Sequence, residues 1–190
     1  MGVATGASTA PAAAGRVAAP DPPAPADAYG RSKRDAEVAL ADACRGSSTA
    51  AIVLRLPLVI GPGARGNVAR LVDAIEAGRT LPVGAIDNRR SVLGLANLAD
   101  AIVAALDALP APAGVHFVAD ADAVSTPALV RALAGALGRP VPLAFVPVAL
   151  LKLGARLAGK GAEFGRLAGS LEVDASSFTA ATGWKPGHML

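Results

Sequence analysis

The 190-residue sequence predicts an α/β fold organised on parallel strands. Two observations carry that expectation. The runs Ala50 to Leu56 and Val115 to Val118 are apolar except for Arg55 and His116, as strands buried on both faces are. Between and after them lie segments whose apolar residues recur at helical spacing, so strand and helix alternate along the chain. The length is enough for one domain with a core of its own.

In order, residues 1–26 are rich in Ala, Pro, Gly and Thr, and neither period persists there; Asp21-Pro22-Pro23-Ala24-Pro25 reads as extended loop. Asp27 can cap a helix running to about Cys44, with Ala36, Val38, Ala39 and Leu40 as its apolar positions. The strand that follows is closed by Pro57, and Gly61-Pro62-Gly63 makes a loop. Asn67 to Ala77 is amphipathic through Val68, Leu71, Val72 and Ile75, with Gly78 as a C-terminal stop. Ser91 to Leu95 is a short strand, and Asn97 is expected to cap a helix carrying Leu98, Ala101, Ile102, Ala105 and Leu106 on one face. After the Val115 strand, Thr126-Pro127 is expected to cap and open a helix that ends at Gly138. Val141 to Leu143 reads as extended; Val148 to Leu157 and Phe164 to Leu171 read as helical. The expected division is a poorly ordered segment over 1–26 and a folded part over 27–190. No repeat of fixed period occurs.

Composition excludes several classes. The chain is 53% hydrophobic and 17% charged with 3% aromatics, and its net charge is only +3. The cations look scattered and are not interleaved with aromatics, so nucleic acid is not an expected partner. One cysteine, Cys44, excludes an internal disulfide, and two distant histidines, His116 and His188, suggest no metal site. No basic segment leads an apolar core at the N-terminus, so a signal peptide is not expected. The longest apolar stretch, Val141 to Leu151, is broken by Pro142 and Pro147 and is too short to span a bilayer. The expectation is a cytoplasmic protein with no membrane partner.

The most informative pair is Tyr29 and Lys33, four residues apart. On a helix both side chains fall on one face, a turn apart. An ammonium beside a phenol favours phenolate, and such a tyrosine can move a proton on or off a sugar or alcohol hydroxyl. A surface tyrosine beside a surface lysine is the plain alternative.

The motifs Asp21 to Lys33, Leu54-Arg55-Leu56-Pro57-Leu58-Val59-Ile60-Gly61-Pro62-Gly63 and Asp87-Asn88-Arg89-Arg90-Ser91 together resemble an extended short-chain dehydrogenase/reductase. The branch they resemble is the NAD-dependent epimerase/dehydratase group acting on nucleotide sugars, which includes UDP-glucose 4-epimerase and 4-keto-sugar reductases. The similarity runs from about residue 20 to Pro186. It implies an incomplete Rossmann-like parallel sheet with helices, plus a small mixed α/β substrate-binding region, over 27–190. It implies NAD or NADP as cofactor and a nucleotide sugar as substrate. Tyr29 would be the acid/base; Lys33 would bind the nicotinamide ribose and assist the tyrosine. Thr5, with Ser8 as the alternative, would complete the catalytic set, or else be an unremarkable N-terminal threonine. Pro57 and Leu58 would bring backbone near the nicotinamide. Asn67 would contact the diphosphate from a helix start, or be an ordinary cap. Arg90 would clamp the diphosphate, with Arg89 as a second contact or a surface charge. Arg55 would serve the strand end structurally, Trp184 matches a family packing position, and His116, within an apolar strand, reads as a core or edge residue.

Departures from the family pattern shape the expectation. Thr5-Gly6-Ala7-Ser8 resembles the start of a dinucleotide-binding turn, but Thr9 and Ala12 stand where further glycines should fall. The first half of the sheet, the glycine-rich turn and a terminal helix are expected to be missing, as in a truncated product. The chain alone should then be weakly active or inactive, with an exposed strand flank that invites aggregation or a partner, either a second copy or a complementing subunit. The alternative is a non-catalytic module that binds nucleotide sugar or pairs with a subunit carrying the cofactor half.

Overall fold

The computed structural model describes residues 16–18 and 28–187. In chain order the elements are β1 (Arg16–Val17), α1 (Ala28–Cys44), β2 (Ile52–Arg55), β3 (Leu58–Ile60) and α2 (Asn67–Glu76). There follow β4 (Val92–Gly94), α3 (Leu95–Asp107), β5 (Gly114–Phe117) and α4 (Thr126–Ala136). The last are α5 (Val148–Leu157), α6 (Gly161–Ala168), β6 (Glu172–Val173) and α7 (Ser176–Thr182). The fold is α/β, as predicted. Two compact units divide it: one gathers the chain up to Gly61, Ser91–Asp122 and the chain from Leu171, the other Pro62–Arg90 and Ala123–Ser170.

The first unit holds the strands, in three parallel pairs: β1 with β6, β2 with β5, β3 with β4. Parallel pairing follows from the crossover lengths, since each partner is reached through a helix. Ile52 lies opposite Gly114 and Arg55 opposite Phe117; Leu58 lies opposite Val92 and Ile60 opposite Gly94. Beyond β5, the Asp120 amide donates to Val92 O at 2.8 Å. The core of this unit includes Leu54, Leu56, Leu93, Val118, Phe178 and Trp184. Phe178 meets the Trp184 ring edge-on, centroids 5.7 Å apart. Trp184 and His116 are thus core residues, as expected. His116 Nε2 lies 3.2 Å from Pro112 O, which can only accept, so this nitrogen carries the proton. Its Nδ1 accepts from Ser177 Oγ at 3.3 Å.

The second unit is mainly helical around Ile75, Val83, Ile86, Val130 and Ala134. Two isolated bridges, Leu81 with Leu143 and Arg90 with Val124, give it its extended backbone. Asn88 is buried and organises it: Nδ2 donates to Leu167 O at 3.2 Å and Gly169 O at 3.1 Å, while Oδ1 accepts from the Thr126 amide at 2.8 Å.

Several local expectations are corrected. Asn97 does not cap α3, whose N-cap is Gly94. Asn97 lies inside the first turn, buried, where Nδ2 donates to Asp120 Oδ1 at 2.6 Å and Oδ1 accepts from the Gly187 amide at 3.2 Å. Asp120 Oδ2 in turn accepts from the Gly94 amide at 3.0 Å, so a carboxylate from a neighbouring segment meets the helix start instead. The cap of α4 is Ser125, whose Oγ accepts from the Ala128 amide, and Thr126 is already helical. Asp27 lies outside the described residues. In α1, Val38 is exposed, and so are Ala36 and Ala39; Gly30 is the buried residue. The strands β1, β3 and β6 and the helix α7 were not foreseen.

Gly61 fixes how closely β3 and β4 run on into their next elements. A Cβ there would sit 2.5 Å from Leu95 Cβ, an atom with no freedom to turn away. Gly61→Ala is expected to lower stability by roughly 1–3 kcal/mol, the usual cost of overpacking. Urea unfolding followed by the single tryptophan, Trp184, measures it; an unchanged midpoint would refute the close approach.

Candidate functional site

Tyr29 lies in the first turn of α1 and Lys33 follows one turn later. The Lys33 ammonium lies 5.2 Å from the Tyr29 ring centroid, so the two side chains share a helix face. Tyr29 is half exposed (52%), which leaves the pair open to a ligand. The helix start is tightened by Ser32 Oγ, which donates to Tyr29 O at 2.8 Å.

One further turn along the same stripe stands Glu37, a residue the sequence analysis passed over. Arg55 Nε donates to Glu37 Oε1 at 3.0 Å and Nη2 to Oε2 at 2.7 Å. Both side chains are largely buried, and the Arg55 guanidinium sits 5.8 Å from the Phe117 ring centroid. A two-pronged guanidinium–carboxylate fork fixes direction as well as distance. Arg55 therefore serves structure, as expected, but its task is to hold the tyrosine–lysine helix against β2. The spacing of Glu37 eight residues after Tyr29 and four after Lys33 was a signal that could have found it. Pro57, half-buried, ends the same β2 strand. Thr5 and Ser8, and with them the Gly6 turn, lie outside the described residues.

Asn67 and Arg90 belong to the second unit. Gly63 and Gly66, both at positive φ, lead into α2, and Gly66 is its N-cap without a side-chain bond. Asn67 is thus the first helical residue and not the cap. It lines a cleft of about 440 Å³ together with Arg70 and Lys160, over an apolar lining that includes Leu71, Phe164 and Leu167. Arg70 and Lys160 were not singled out in the sequence, because only the fold brings α2 and the α5–α6 turn to one cleft. Near the end of α6, Arg90 Nη1 donates to Leu167 O at 3.4 Å and, at the limit of bonding, to Gly169 O at 3.5 Å. A cation there complements the negative end of the helix. Burial pushes its guanidinium pKa down from the ordinary value. Arg89 is exposed, and its amide donates to Ser170 Oγ at 3.1 Å.

The family model described as "NAD dependent epimerase/dehydratase family" matches residues 4–119. A curated relative from Vibrio cholerae, described as UDP-glucose 4-epimerase, is 40% identical over 168 residues, which cover 88% of this chain and 51% of that protein. Among solved structures, UDP-glucuronic acid 4-epimerase from Bacillus cereus in complex with NAD aligns with a TM-score of 0.75 at 17% identity, over 98% of this chain and 56% of that one. The Bordetella bronchiseptica enzyme WbmG in complex with NAD and UDP aligns with a TM-score of 0.70 at 21% identity, over 99% and 53%. The chain spans about half the length of the relatives it matches. At these identities the solved structures show a shared fold.

The buried fork yields a prediction. Arg55→Ala leaves Glu37 as an unpaired buried charge and should cost about 3–5 kcal/mol, whereas replacing both partners by apolar residues (Arg55→Met with Glu37→Leu) should cost much less. Urea midpoints of the single and double variants check this; equal losses would mean the two groups do not act as a pair.

Proposed function

The chain belongs to the NAD dependent epimerase/dehydratase family, and from that membership we propose that it forms the substrate-side part of a nucleotide-sugar 4-epimerase. The observation that carries the reading is the Tyr29–Lys33 pair, on one face of a helix and open on its outer side. The relative described as UDP-glucose 4-epimerase supports UDP-sugar as the substrate class. The solved neighbours that hold NAD support NAD as the cofactor. The same reading makes it a cytoplasmic protein.

The residues present fit one end of that cofactor. An ammonium beside a half-exposed phenol suits a ribose hydroxyl edge next to a reacting alcohol. The 190 residues contain no G-x-x-G-x-x-G run, so no such turn is available here to cradle the pyrophosphate. When bound, NAD supplies an acceptor for the hydride of sugar C4 and returns it. Tyr29 as phenolate takes the C4 hydroxyl proton while the C4 carbon becomes a ketone, and gives the proton back when C4 is reduced on its other face. Lys33 is assigned to the ribose hydroxyls. Thr5 is retained as the third hydroxyl of the set and Pro57 as the backbone contact of the cofactor. The diphosphate is assigned to Asn67 at the start of α2, with Arg70 and Arg90 as its cationic contacts.

A module that binds nucleotide without turnover is the second reading, favoured by the cleft, whose lining belongs entirely to the second unit. The two readings agree that the 190-residue chain binds UDP better than NAD. Calorimetric titration with each is the test: measurable UDP binding, weakened about tenfold by Arg70→Ala, with NAD much weaker. NAD binding tighter than UDP binding would contradict the cofactor assignment. Turnover of UDP-glucose with added NAD is expected to be slight and to vanish in Tyr29→Phe, with UDP binding unchanged. Undiminished turnover in Tyr29→Phe would remove the proton role.

A further inference from the structure

The outer face of α5 is apolar and exposed. Leu150, Leu153 and Leu157 fall on one stripe at helical spacing and are 59%, 56% and 82% exposed, and Phe145, just before the helix, is 73% exposed. The opposite side, through Leu151 and Ala155, is half-buried, and Ala155 lines the cleft. Isolated exposed leucines need no explanation, but a stripe with a phenylalanine at its end is a contiguous apolar surface. Beside it runs a second stripe. Lys152 and Arg156 are one turn apart, both exposed, along the flank of the leucines.

The charge of α5 itself, and of the sequence on either side of it, is one-sided. From Ala123 to Ala162 the sequence carries Arg131, Arg139, Lys152, Arg156 and Lys160 and no acidic residue at all. That stretch alone has a charge of +5, against +3 for the whole chain. Within α5 the charged residues are Lys152 and Arg156, both cationic. An apolar stripe flanked by cations matches the layering of an anionic lipid surface, where negative headgroups lie above acyl chains.

We propose that α5 docks on an anionic membrane surface, with Leu150, Leu153 and Leu157 reaching into the headgroup–acyl boundary and Lys152 and Arg156 on lipid phosphates. A second copy is the less favourable occupant. In a two-fold contact the same patch faces itself, so Lys152 and Arg156 would meet their own copies with no carboxylate on α5 to pair them. Among the described residues no helix is long and apolar enough to cross a membrane, so the contact lies on the surface. The expectation of no membrane partner rested on the lack of a spanning segment, and a surface helix needs none. This inference is independent of the proposed catalytic role.

Co-sedimentation of the 190-residue chain with vesicles is the test. Vesicles with about one-third phosphatidylglycerol in phosphatidylcholine should bind the chain; phosphatidylcholine alone should bind it far less, and high salt should release it. Lys152→Glu with Arg156→Glu should weaken binding by tenfold or more, and Leu157→Glu by a similar factor. Urea midpoints of both variants should match the parent, since these side chains are exposed. Equal binding to both kinds of vesicle, or none, would overturn the proposal. So would a concentration-dependent dimer in sedimentation velocity that Leu157→Glu dissolves in the absence of lipid, which would give the face to a second copy.

Discussion

The Arg55–Glu37 fork is the contact on which the placement of Tyr29 and Lys33 depends. Of the seventeen residues of α1 only Gly30 is fully buried; Val38 faces solvent and Leu40 is half-buried. A fully buried leucine-sized side chain contributes about 1.5–3 kcal/mol to holding a helix, and α1 has no fully buried anchor of that size, its Leu40 being half-buried. The fork replaces it with a directional bond. Apolar packing would tolerate some rotation of the helix about its axis; two parallel N–H···O bonds do not. Because Glu37 lies on the same stripe as Tyr29 and Lys33, fixing its carboxylate fixes the orientation of the phenol and the ammonium. The cost is the desolvation of two charges, so the fork contributes more to geometry than to net stability.

The second unit solves a related problem without an acidic partner. The carbonyls of Leu167 and Gly169 close α6 with no following turn to satisfy them. Asn88, Thr126 and Arg90 converge on them from two distant segments. Arg90 is thereby partly buried beside helix-end carbonyls, and any role it has with phosphate is exercised from a side chain already held in place. The cleft beside α2 carries its positive charge on Arg70 and Lys160 and its apolar floor on Leu71 and Phe164. That pairing of cations with an apolar floor suits a ligand that is anionic at one end and flat at the other.

Much of this was legible in the sequence, for local reasons. The apolar runs at Ile52 and Val115 formed the paired strands β2 and β5, and the period at Asn67 and Val148 formed α2 and α5. Tyr29 and Lys33 were readable because their relation is set by helix geometry alone. What escaped is non-local. β1 and β6 are two residues each and carry no period; they exist because each pairs with the other across the chain. Asn97 looked like a cap because asparagine favours that position, but Asp120 met the helix start and Asn97 turned inward. Asn88 and Arg70 gain their roles only when segments far apart in sequence converge.

The most direct test of the account is amide hydrogen exchange of α1 in the parent chain and in Glu37→Gln. The account predicts that α1 is protected in the parent, and that the substitution strips protection from α1 around Tyr29 and Lys33 while β2 and β5 keep theirs. If α1 exchanges no faster in Glu37→Gln, the helix is held by something other than the fork, and the fork cannot be what orients the tyrosine and the lysine.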